Sequence, residues 1–94
     1  MEQTKKKYLP IGSVVLLKNA KKRLMITGFC AQPDNDESKI YDYSGCIYPQ
    51  GIISTDAMAV FNHDDIETIY NVGYIDNEEI AFKEELDKVV SANK

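Results

Sequence analysis

At 94 residues the chain has the length of one domain, too short to build a deep cleft between two lobes. Its hydrophobic fraction of 44% is a globular value that excludes wholesale disorder, and no apolar run approaches the roughly 20 residues of a membrane-spanning helix. The 15 acids against 11 bases leave a net charge of −4, which disfavours general nucleic-acid binding because phosphate is repelled over much of the surface.

The charges are unevenly placed. Residues 1–30 hold seven bases (Lys5, Lys6, Lys7, Lys18, Lys21, Lys22 and Arg23) and one acid, Glu2, while the remainder holds four bases and fourteen acids. A basic end on an acidic domain is expected; the plainer reading is that these charges solvate turns and one helix face. No leader pattern is present, so a soluble cytoplasmic protein is expected, without membrane attachment. Cys30 and Cys46 then stand as reduced thiols and not as a disulfide.

Residues 1–7 are polar and read as a flexible N-terminus. Pro10 and Gly12 lead into a first strand, Val14 to Leu17, whose continuous apolar run predicts cover on both faces. Asn19-Ala20-Lys21 is the expected turn, because Asn tolerates positive φ. Leu24 to Phe29 returns as a second strand with Leu24 and Ile26 on one face and Met25 and Thr27 on the other. Gln32 to Lys39 is turn-forming and charged, and reads as a mobile hairpin tip.

Ile40 to Cys46 is the third strand, with a bulge or bend expected at Gly45. Tyr48-Pro49-Gln50-Gly51 is a turn. Ala57 to Phe61 is the fourth strand, and Asn62-His63-Asp64-Asp65 punctuates with one helical turn. Ile66 to Tyr74 is the fifth. Asp76 is a natural N-cap, with Glu79 placed to close a capping box and Ile75 and Ile80 to form a hydrophobic staple. The helix is expected over 77–90, with Phe82, Leu86, Val89 and Val90 on its apolar face and Glu84–Lys88 as a surface pair. Residues 91–94 are expected to fray.

The order β-β-β-β-β-α predicts a single domain over 8–90, mainly β with a C-terminal helix. Its expected form is a small SH3-like curled antiparallel sheet or open barrel. A flatter sheet with the helix on one face is the alternative.

Chemistry-bearing patterns are sparse. Cys46 with His63, oriented by Asp64 or Asp65, is the one conceivable nucleophile pair, but no nucleophile-elbow pattern surrounds the cysteine. Asp34 to Ser38 is acidic, yet Lys39 and Gly45 stand where a calcium loop needs glycine and glutamate. The glycines are scattered and form no phosphate cradle. Neither an enzyme, a cofactor nor a metal is expected. Two surfaces suit binding: a protein interface built from Tyr41, Tyr43 and Tyr48 with the helix positions Phe82 and Leu86, and a basic patch of Lys18, Lys21, Lys22 and Arg23. Burial beneath the helix is the competing reading of the tyrosines.

Four segments carry a resemblance that spans roughly residues 8–90. The first is Leu9 to Lys18 with Lys22 to Gly28. The others are Tyr41-Asp42-Tyr43-Ser44-Gly45-Cys46-Ile47-Tyr48-Pro49-Gln50-Gly51, then Phe61-Asn62-His63-Asp64-Asp65-Ile66, then Val72-Gly73-Tyr74. Together they resemble a family of unknown function from Firmicutes, encoded beside type VII secretion systems and LXG toxins. Gln50 stands where that family carries an acid, a change confined to a turn. The resemblance implies a cytoplasmic accessory protein, a chaperone or targeting factor whose partner is an LXG toxin or a secretion component. It supplies no catalytic residues. A small-barrel nucleic-acid binder and a toxin immunity protein are the other readings, and self-association is left open.

Overall fold

A computed structural model describes residues 8–32, 39–54 and 58–92, the last three of these by their backbone alone. The expectations for residues 1–7, for the hairpin tip at 33–38 and for Ala57 lie outside the described residues. Five strands precede one helix: β1 (Val14–Leu17), β2 (Leu24–Ala31), β3 (Tyr41–Ile47), β4 (Ala59–Phe61), β5 (Ile66–Asn71) and α1 (Asn77–Ala92). They form one antiparallel sheet in the order β4-β3-β2-β1-β5. This is the mainly β architecture with a C-terminal helix that the pattern predicts.

The curl of the sheet follows from its connections. β4 and β5 are its opposite edges, yet only Asn62 to Asp65 join them, with His63–Asp65 wound as a 3-10 turn. Laid flat, five strands about 4.8 Å apart would hold the edges roughly 19 Å from each other. A linker of this length, partly wound at about 2 Å per residue, reaches roughly 14 Å. The sheet therefore bends until its edges approach, and the concave side becomes the core.

That core is Val15, Leu24, Ile26, Tyr43 and Phe61, with Tyr8, Leu9, Leu17, Phe29, Ile47, Ala59 and Ile66 packed around it. Val15, Ile26 and Tyr43 are completely buried. The bulge expected at Gly45 lies instead on the facing strand, where the β2–β3 register shifts between Ile26 and Gly28. The extra residue reverses the alternation, so Phe29 joins Leu24 and Ile26 on the core side. Gly45 has a different task. A Cβ there would lie 2.8 Å from the Met25 carbonyl oxygen and 3.2 Å from the Phe61 ring, so its bare backbone admits that ring.

The turn after β1 has Asn19 at φ 64°, as expected of that residue. β5 stops at Asn71 and not at Tyr74, because the Gly73 amide leaves the ladder and donates to Ser13 Oγ at 3.0 Å. The Ser13 hydroxyl in turn donates to the Pro10 carbonyl at 2.8 Å. This buried serine thus ties the entry of β1 to the exit of β5.

In α1 the Asp76 carboxylate accepts the Glu79 amide at 2.9 Å, so the cap forms. The Glu79 carboxylate does not return to the cap; it pairs with Lys83 at 2.5 Å. Lys83 also donates to the Tyr8 carbonyl at 2.6 Å and lies over the Phe29 ring. The helix continues to Ala92, two residues past the expected end. Lys88 pairs with Glu85 and not with Glu84, across 3.4 Å of exposed surface. No helix among the described residues is long and apolar enough to cross a membrane.

Candidate functional site

The tyrosines singled out in the sequence do not form one surface. Tyr43 is fully buried, Tyr41 is half-buried, and Tyr48 is exposed. Tyr43 points to the concave side of β3 and stacks against Phe61, Tyr8 and Phe29, with ring centroids 5.3, 5.8 and 6.1 Å away. It offers a partner no surface; its role is to fill the core. The competing reading, burial, holds for Tyr43, although the N-terminal Tyr8 covers it along with the sheet residues.

A buried phenol needs partners for its hydroxyl. The Leu9 amide donates to the Tyr43 oxygen at 3.0 Å, and His63 Nδ1 lies 2.7 Å from the same oxygen. Which of the two donates across that contact follows the His63 tautomer. Beside it the Asp42 carboxylate accepts the His63 amide at 2.8 Å and the Tyr8 hydroxyl at 3.4 Å. The Asp42 amide donates to Asn62 Oδ1 at 3.1 Å, and the Asn62 amide donates to Asp65 Oδ2 at 2.9 Å. These bonds fasten the β4–β5 linker onto the core and onto the N-terminal segment.

The electrostatics of this knot favour protonated groups. Burial first, then the Asp42 charge, pushes the Tyr8 hydroxyl far above its usual range. Burial, opposed by the Leu9 hydrogen bond and reinforced by Asp42, takes Tyr43 to about 12. The Cys30 thiol rises for the same two reasons, burial and then Asp42. That direction is opposite to the one an activated thiol requires. Cys30 and Cys46 are both free thiols. Cys46 lies past Gly45, whereas His63 lies beyond the Tyr43–Phe61 end of the same strand pair, so the register does not bring the two together. No cluster of metal-binding side chains occurs among the described residues.

The basic patch gains a feature that the sequence does not announce. Lys18, Lys21, Lys22 and Arg23 are all exposed around the β1–β2 turn. The Arg23 guanidinium sits 5.1 Å from the Tyr48 ring centroid and 5.7 Å from that of Tyr70. The Tyr48 amide donates to the Arg23 carbonyl at 2.9 Å, which carries the turn after β3 onto the start of β2. Tyr70 arrives from β5 because the β1–β5 register slips there: Val14 faces Asn71 while Val15 faces Ile69. No signal in the sequence marks the slip.

Apolar side chains are also exposed on and just before the helix. Phe82 packs on Phe29 at 5.7 Å yet keeps 49% of its surface in solvent, and Leu86 is buried. Ile80 and Val89 on the helix are about half exposed, and so are Val72 and Ile75 before it; Tyr74 is 80% exposed. Ile75 and Ile80 therefore leave much of the expected staple open to water.

A domain of unknown function, DUF4176, matches the chain over residues 8–82. No curated protein and no solved structure matches it. The matched span runs from Tyr8, which roofs the core, through all five strands to Phe82 on the helix; the chain belongs to the DUF4176 family.

Proposed function

We propose that the chain is a non-enzymatic protein-interaction domain, acting in the cytoplasm as an accessory to a partner protein. The observation that carries this reading is the open apolar face of α1 at Phe82 and Val89, seven residues apart and so on one side of the helix, each about half exposed. Exposed aromatic and aliphatic side chains beside a polar helix face are the usual anchors of a protein interface. The resemblance to a family encoded beside type VII secretion systems supports a partner of the LXG toxin or secretion-component class, with a chaperone or targeting role.

A tagged pull-down from the native bacterium tests it. The expected result is co-purification of an LXG toxin or secretion component, with recovery reduced by Phe82→Ala in a protein that still folds. Binding that follows the partner's export region supports targeting; binding that follows its toxic domain moves the reading to immunity. Failure to recover any protein partner overturns the proposal.

A small-barrel nucleic-acid binder is the second reading. It is favoured by the four exposed cations Lys18, Lys21, Lys22 and Arg23 around the β1–β2 turn, since a basic patch tracks a phosphate backbone. It predicts a complex that weakens steeply as salt is raised.

A further inference from the structure

The β1–β2 turn concentrates positive charge on a chain whose net charge is −4. Among the described residues, the lysines that pair with carboxylates are Lys83 and Lys88, both on α1; Lys18, Lys21, Lys22 and Arg23 pair with none. Arg23 is also held in place. Its guanidinium lies within 5.1 and 5.7 Å of two ring centroids, those of Tyr48 and Tyr70, each contributed by a different strand connection or edge. A guanidinium held between two rings loses less side-chain freedom when it takes a ligand.

We infer that this turn is a docking site for an acidic segment of a partner protein, with Arg23 taking a carboxylate through its fork and Lys21 and Lys22 supplying the surrounding field. The inference rests on the protein-interaction reading and deepens it by naming the chemistry of the partner. A bidentate arginine–carboxylate contact is charge-assisted and directional.

Two observations favour a peptide over a nucleic acid. Asp64 and Glu67 are exposed beside Ile66, which pairs with Leu17 at the edge of this turn. A phosphate backbone carries a charge at every nucleotide and would run past these carboxylates, whereas a peptide needs only one or two acids in register. The tyrosine faces turned toward Arg23 are also already used, and they are the faces on which bases would stack.

The test is a titration of the full chain, followed by backbone amide shifts, with a short glycine-serine peptide carrying two glutamates and with an oligothymidylate of matching length. The glutamate peptide is expected to shift the Lys21, Lys22, Arg23, Tyr48 and Tyr70 amides saturably. Arg23→Lys, which keeps the charge and loses the fork, is expected to weaken binding about fivefold. Tyr48→Leu combined with Tyr70→Leu is expected to weaken it about two- to fivefold by releasing the guanidinium. These side chains are at the surface, so an unchanged amide spectrum elsewhere reports an intact fold. No saturable shift, or Arg23→Lys binding as well as the parent, would overturn the inference. Tighter binding of oligothymidylate would overturn it in favour of a nucleic acid. In the pull-down, a partner lost to Phe82→Ala but retained by Arg23→Glu would sink this site and leave the protein-interaction reading standing.

Discussion

Tyr43 shows how one side chain serves both packing and connection. Its ring fills the concave side of the sheet, and its hydroxyl joins the Leu9 amide to His63. Tyr43→Phe keeps the ring and leaves the Leu9 amide without its acceptor, so a loss of about 1–3 kcal/mol is expected, read as a lower urea midpoint. The same residue makes stability depend on alkaline pH. Tyr43 titrates at about 12 in the folded chain against 10.0 ordinarily, and Tyr8 is raised as well. Above pH 10 the unfolded chain therefore binds fewer protons than the folded one, and stability falls as pH rises. Urea midpoints should be level with respect to these groups below pH 10 and decline between 10 and about 12. Tyr43→Phe should shrink the decline; an unchanged decline would assign it to other groups.

The elements are held to one another by close backbone approach more than by long apolar faces. At Gly73 an added Cβ would overlap the Ile11 carbonyl oxygen, because β5 leaves the sheet there directly against the entry to β1. Gly73→Ala should force the two segments apart, at about 2–3 kcal/mol by the scale of overpacking. Gly51 provides the contrast: nothing lies within 4 Å of its Cβ position, but its φ is +82°. Gly51→Ala should cost about 1 kcal/mol from backbone conformation alone. Chemical denaturation of the two variants distinguishes a steric pin from a turn preference. Equal losses would mean that Ile11 yields easily.

At the scale of the molecule, the short linker between opposite sheet edges curls the sheet and divides its outside into two zones. One is basic and aromatic around Arg23, and the other is apolar on the Phe82–Val89 face of α1. Charges steer encounter, while buried apolar contacts set residence. Raising salt should therefore slow partner association with little effect on dissociation, and Phe82→Ala should do the reverse. Surface-binding kinetics at two ionic strengths would show this; a salt effect on dissociation alone would contradict the division.

Much of the architecture is written in local chemistry. The apolar runs at Val14 to Leu17 and Leu24 to Phe29, Asn19 in its turn and Asp76 before the helix each act within a few residues, and the structure realises each of them. The candidate sites were less readable. Tyr41 and Tyr43 do share a strand face by alternation, but whether that face meets water depends on which way the sheet curls, and the four-residue linker decides it. Tyr70 reaches Arg23 through a register slip between β1 and β5, two strands separated by most of the chain. The bulge falls on β2 and not at Gly45, whose bare backbone instead admits the Phe61 ring, distant in sequence. Periodicity and capping are short-range and survive reading one residue at a time. Register, curvature and burial are set by pairs of residues far apart in the chain, and they exist only once the strands have paired.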